Sequence, residues 1–136
     1  MRKKSIFCML HVIAMLSCNF ASARASLYLS NYYVYAFEGD TGEIIVEFDV
    51  TANQISDKLG AIKITLYRAN GLMDRGTTGS VNNGLLIASD IFHYGTYTFE
   101  NLVPGNYYYA EVTIYVEVNG ASDSRVVKTG LVCAPY

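Results

Sequence analysis

Apolar and polar residues alternate with a period of two along most of this chain, the pattern of strands that bury one face. Ile44, Val46, Phe48 and Val50 alternate with Glu43, Ile45, Glu47 and Asp49, an apolar face against a largely acidic one. Ile62, Ile64 and Leu66 alternate with Lys63, Thr65 and Tyr67. In the longest run, Tyr108, Ala110, Val112, Ile114, Val116 and Val118 face one way, and Tyr107, Tyr109, Glu111, Thr113, Tyr115 and Glu117 the other. Such a run suits a central strand of an antiparallel sheet with one wet face. Turn signals separate the runs at Gly39-Asp40-Thr41-Gly42, Asn70-Gly71, Asn82-Asn83-Gly84, Pro104-Gly105 and Asn119-Gly120. The pattern predicts strands near 27–38, 43–52, 60–69, 72–79, 85–89, 94–101, 106–118 and 123–133, and no helix beyond a single turn at Ser56 to Leu59.

Short strands about ten residues apart, with no helices, predict an antiparallel β-sandwich of seven or eight strands. The stretch Leu102-Val103-Pro104-Gly105-Asn106-Tyr107-Tyr108 narrows the topology. Its spacing is that of a tyrosine corner, in which Pro104 and Gly105 turn the chain between sheets. The Tyr108 hydroxyl then satisfies a backbone group that the turn leaves unpaired. Leu102, Pro104, Gly105 and Tyr108 are thus expected to be structural, in an immunoglobulin-like or fibronectin-III-like fold.

The first residues read as an address. Arg2, Lys3 and Lys4 precede an apolar run from Ile6 to Leu16, and Ala21-Ser22-Ala23 supplies small residues at a cleavage position. The expected organisation is a signal peptide over 1–23 and one domain over 24–136. Cys18, after Leu16-Ser17, is the alternative as a lipid anchor. The whole chain has 10 Lys+Arg and 12 Asp+Glu. A leader removed after Ala23 takes three of the basic residues with it and leaves a domain more acidic than the precursor. Such a balance speaks against nucleic acid and anionic membrane surfaces as partners. Only Cys133 would remain, so no internal disulfide is expected. Cys133 shares the phase of Val127, Thr129 and Leu131, consistent with an inward thiol; an intermolecular disulfide is the alternative.

Residues that carry chemistry are sparse. His93, between Phe92 and Tyr94, is expected to be a partly packed loop histidine and not a metal ligand. No G-x-S-x-G elbow occurs, and the acidic residues alternate outward as on a solvated face. Glu38-Gly39-Asp40-Thr41-Gly42-Glu43 reads as a hairpin turn before a calcium loop, and Gly76-Thr77-Thr78-Gly79-Ser80 as a flexible surface loop. No catalytic residue, metal or cofactor is implied.

Tyrosine is the exception, with 12 in the chain and no tryptophan. Tyr107, Tyr109 and Tyr115 leave one face of a single strand, and Tyr67 with some of Tyr28, Tyr32, Tyr33 and Tyr35 is expected beside them. Such a strip can stabilise the sheet by cross-strand stacking or bind a partner. The expectation is a secreted, non-catalytic module for extracellular protein interaction or structure. A carbohydrate- or cell-wall-binding module using Tyr107, Tyr109, Tyr115 and Tyr67 is the alternative.

Two resemblances add to this. Gly95-x-Tyr97-x-Phe99-x-Asn101-Leu102-x-Pro104-Gly105-x-Tyr107 resembles the end of collagen-adhesin B-type repeats of Gram-positive surface proteins. That family forms a Lys–Asn bond between its first and last strands. Here residues 27–38 hold no lysine and residues 121–133 no asparagine, so the resemblance implies the fold without the crosslink. Over a longer span, the chain resembles an uncharacterised family of small secreted proteins of clostridia-like Gram-positive bacteria. The residues that carry it are Ser26-Leu27-Tyr28-Leu29-Ser30, Ile44-x-Val46-x-Phe48-x-Val50-x-Ala52, Asp57-Lys58-Leu59-Gly60-Ala61, Gly105-x-x-Tyr108-Tyr109-Ala110-x-Val112-Thr113 and Asn119-Gly120-Ala121-Ser122-Asp123. Its members usually place a tryptophan after the third strand, which this chain lacks. The resemblance implies a secreted sandwich and no catalytic residues.

Overall fold

The computed structural model describes residues 27–136; the expected leader, Cys18 and the cleavage position lie outside them. The chain forms β1 (Leu29–Glu38), β2 (Ile44–Ser56), β3 (Lys58–Arg68), β4 (Met73–Thr78), β5 (Leu86–Ile87), β6 (Asp90–Phe99), β7 (Tyr107–Val118), β8 (Ala121–Lys128) and β9 (Val132–Cys133). They make two antiparallel sheets. Sheet A has the order β1-β2-β6; sheet B has β4-β3-β7-β8, with β5 on β3 and β9 on β7. The predicted all-β sandwich is therefore what forms, with seven long strands and two of two residues each.

Period-two alternation explains the core. Ile44, Val46, Phe48 and Val50 of β2 face Val112, Ile114 and Val116 of β7 across the interior, all almost wholly buried. The predicted inward set of β7, from Tyr108 to Val118, is buried throughout. Its neighbours β3 and β8 pair along both sides, so β7 is central in its sheet. An Asn119-Gly120 turn with φ of 50° and 78° closes the β7–β8 hairpin, as its sequence demands.

Four local expectations change. A bulge between Ala61 and Lys63 shifts the phase of β3, so Leu59 and Ala61 join Ile64 and Leu66 in the core and Ile62 does not. Ser56 to Leu59 is not a helical turn. It is the end of β2 and the start of β3, joined through Asp57, whose N–H donates to Glu117 O at 2.7 Å and whose carboxylate accepts from Asn119 N at 2.6 Å. Gly76-Thr77-Thr78 belongs to β4, and Gly79 packs on the Ala61 carbonyl, so this segment is not a loose loop. The last predicted strand splits at Thr129, whose hydroxyl accepts from Ala110 N at 2.9 Å and whose own N–H donates to Ala110 O. That break exposes Leu131 and leaves Cys133 half-buried opposite Tyr107, not inward with Val127.

The corner forms as its residues require. Tyr108 is 1 % exposed, and its hydroxyl accepts a hydrogen bond from Val103 N at 3.3 Å. Leu102 is buried beside it and its N–H donates to Gly42 O at 2.9 Å. Gly105, with φ of 85°, donates to Ala134 O at 2.7 Å, and the Tyr136 ring lies where a Cβ would stand. The Gly39–Gly42 segment is the expected turn, with Glu43 N donating to Asp40 O at 2.9 Å.

Candidate functional site

The predicted tyrosine face lies on the outside of sheet B, and much of it is used internally. Tyr67 and Tyr109 are register partners on β3 and β7, with rings 5.2 Å apart and 10° from parallel. The Lys128 ammonium of β8 stands 4.0 Å from the centre of the Tyr109 ring, and Glu111 lies opposite Lys128. Partial burial, and then the Glu111 charge, raise the Tyr67 phenol above its ordinary value. Tyr115 donates its hydroxyl to Glu117 at 2.6 Å, a bond that raises the phenol and lowers the carboxyl; Lys58 approaches the same carboxylate at 3.6 Å. Tyr67, Tyr109 and Tyr115 are thus half-buried and partnered. Tyr107, at the end of the row, is exposed.

Tyr33 and Tyr35 do not join that face. They lie on the outside of sheet A, because β1 pairs only with β2. Tyr32 turns inward on the same strand, and it and Tyr28, just before β1, pack against the core. Sheet A presents its own aromatic strip. Tyr33, Tyr35 and Phe37 of β1 and Phe92 and Tyr94 of β6 are all 41–56 % exposed. The Tyr33 and Tyr35 rings are 11° from parallel at 6.4 Å. Between the two rows β2 places acidic residues: Asp49 pairs with Tyr33 on one side and Tyr94 on the other, and Glu47 pairs with Tyr35. The Tyr94 hydroxyl donates to Glu47 at 2.9 Å, which raises that phenol above its ordinary value. The signal was present in the alternation of Tyr33, Tyr35 and Phe37 with Tyr32, Val34 and Ala36. Five half-exposed aromatic side chains offer on the order of 500 Å² of apolar surface, the size of the largest apolar patch on a typical monomer, which is often functional.

The cations are confined to one sheet, where Asp74, Glu111, Glu117 and Asp123 accompany them. All six lysines and arginines of the described residues, Lys58, Lys63, Arg68, Arg75, Arg125 and Lys128, lie on β3, β4 and β8. The strands of sheet A hold Glu38, Glu47, Asp49 and Asp90 and no basic residue.

Comparison with known protein families, curated proteins and solved structures found no match to the chain. The site therefore stands on its geometry alone.

The remaining candidates are structural in their contacts. His93 lies on β6 and not in a loop; its Nε2–H donates to Gly84 O at 2.8 Å and its ring meets Phe48 edge-on at 5.6 Å. Cys133 lines an open groove of about 580 Å³ between β1 and β9, with Phe37, Tyr107 and Leu131. Among the described residues no three His, Cys, Asp or Glu side chains are grouped to hold a metal ion, and no helix is long and apolar enough to cross a membrane.

Asp74 of β4 is the most enclosed ion-paired acid, its side chain 8 % exposed between Arg75 at 2.7 Å and Arg68 at 3.1 Å. Desolvation alone would raise its carboxyl, but the hydrogen bonds from Arg75 and Arg68 outweigh that and hold it below the usual carboxylate range. A folded-state value below the unfolded one gives stability that is complete above about pH 4 and lost as pH falls through the folded value. Urea unfolding at neutral and at strongly acidic pH checks this. Asp74→Asn is expected to lose less stability on acidification than the unaltered protein, and equal losses would remove Asp74 from the account.

Proposed function

We propose that this chain is a secreted, non-catalytic β-sandwich module that acts by surface contact, with the outer face of sheet A as its contact surface. The exposed aromatic strip of Tyr33, Tyr35, Phe37, Phe92 and Tyr94 carries the reading. Solvating this much aromatic surface is unfavourable, and no neighbouring element among the described residues covers it. The strand order β1-β2-β6 over β4-β3-β7-β8, with the Tyr108 corner, supports an immunoglobulin- or fibronectin-III-like topology. Secretion rests on the basic and apolar run that opens the sequence.

A glycan is the second reading, favoured by the near-parallel Tyr33 and Tyr35 rings beside the carboxylates of Glu47 and Asp49. Flat aromatic faces stack on sugar rings, and carboxylates accept from sugar hydroxyls. On sheet B the stacking of Tyr67 on Tyr109 and the ammonium over Tyr109 leave less ring surface for such contact.

Retention of the purified protein on cell-wall, glycan and extracellular-protein matrices tests the assignment. Tyr35→Ala with Tyr94→Ala is expected to abolish retention, and Tyr67→Ala with Tyr109→Ala to preserve it. Unchanged retention in both pairs, or loss only in the second, would sink sheet A as the contact face.

A further inference from the structure

We infer that the outer face of sheet A docks a cationic polypeptide, whose lysine or arginine side chains lie over Tyr33, Tyr35 and Tyr94 and pair with Glu47 and Asp49. This rests on the face being a contact surface and names the chemistry of what covers it.

The chain shows the same arrangement completed on its other sheet. There the Lys128 ammonium lies 4.0 Å over the Tyr109 ring, with Glu111 opposite it in register. Ring face, cation and carboxylate are all supplied by neighbouring strands. Sheet A repeats two of the three parts. Asp49 is flanked in register by Tyr33 and Tyr94, and Glu47 is opposite Tyr35 and accepts the Tyr94 hydroxyl. The third part is missing, because β1, β2 and β6 contain no lysine or arginine. Residues 25–57 and 76–124 are without lysine or arginine, so the described loops that enter and leave β2 and β6 contribute none either.

Two physical terms then favour a cation from outside. A cation over an exposed tyrosine face gains from the ring quadrupole, and the carboxylates between the rings add charge attraction, Glu47 having the Tyr94 hydroxyl as a partner but no lysine or arginine of its own sheet. A small cation would use only one ring. The rings stand on both sides of β2 and along two register positions of β1, a span that several side chains of one extended polypeptide match.

Purified full-length protein titrated with a short poly-L-lysine tests this, with poly-L-glutamate and a soluble glucan oligosaccharide as comparison probes. Physiological salt is used, where exposed charges more than about 8 Å apart are largely screened. Saturable binding of poly-L-lysine is expected, with amide shifts on β1, β2 and β6. Tyr33→Ala with Tyr35→Ala, which keeps every charge, is expected to weaken it about tenfold or more. Tyr33→Phe with Tyr35→Phe should keep binding, since the ring faces remain, and it serves as the control for folding. Glu111→Gln with Glu117→Gln, on the opposite sheet, should change affinity less than about twofold.

Loss of binding in the phenylalanine pair, no loss in the alanine pair, or shifts spread over both sheets would each overturn the inference, the last leaving only attraction to net negative charge. Oligosaccharide binding at this face without poly-L-lysine binding would overturn the inference and leave the contact surface standing. Binding of neither probe would overturn the inference and leave the contact surface to be decided by the retention of the Tyr35→Ala, Tyr94→Ala pair.

Discussion

Tyr108→Ala is expected to lower the stability of the domain by about 3–5 kcal/mol, against a total of about 5–15 kcal/mol for a typical domain. Tyr108 is among the largest side chains that the core encloses completely. Its removal leaves a cavity between Leu102 and the interior of both sheets, and frees the Val103 N–H that its hydroxyl accepts. Tyr108→Phe separates the two contributions. It keeps the packing, loses one hydrogen bond, and should cost about 0.5–1.5 kcal/mol. Its neighbour Tyr107 points the other way and is 55 % exposed, so Tyr107→Ala should stay within about 0.5 kcal/mol. Denaturant unfolding of the three variants checks the order. A Tyr108→Ala loss below about 1 kcal/mol would remove the corner from the account of stability.

Gly60→Ala is the second large effect. Gly60 stands where β3 carries β5 on one side and β7 on the other, facing Leu86 and Tyr115. Its φ is 141°, a region that side chains rarely adopt. A Cβ there would run into the Leu85 carbonyl oxygen and lie 2.9 Å from the His93 ring. Backbone strain of about 1–3 kcal/mol and overpacking of about 1–3 kcal/mol act together. The expected loss is about 3 kcal/mol or more. Gly71→Ala is the comparison, since Gly71 has φ of 86° with open space around it and should cost the conformational part alone. Thermal unfolding of both variants decides, and equal midpoints would mean that the Leu85 carbonyl yields without cost.

What could be read in advance followed from local chemistry, and what could not depended on other strands. Alternation in β2 and β7 names the buried residues correctly, because β7 is regular over its whole length and β2 from Ile44 to Ala52. Leu102, Pro104, Gly105 and Tyr108 predict a corner because its defining bond, from Val103 N–H to the Tyr108 hydroxyl, joins residues close in the chain. Alternation misplaces Ile62 because a bulge moves every later side chain of a strand to the other face, and nothing in Ala61-Ile62-Lys63 announces one. Tyr33 and Tyr35 lie on the other sheet from the expected strip for a different reason. Alternation says which residues of β1 turn outward, but not which layer the strand joins. Cys133 followed an alternation that Thr129 interrupts by bonding to Ala110. The segregation of charge is legible in the two long stretches free of lysine and arginine, but it acquires meaning only once β1, β2 and β6, which lie within them, are seen to form one sheet.

That segregation gives the sandwich a permanent electric dipole across its thickness, with every described cation on one layer. Beside an anionic surface the field turns such a molecule before it touches. The lysine-bearing layer then swings toward the surface, and the tyrosine- and phenylalanine-bearing layer of β1 and β6 faces outward. Orientation of this kind weakens with salt, since the field fades within about 10 Å at an ionic strength near 0.1 M.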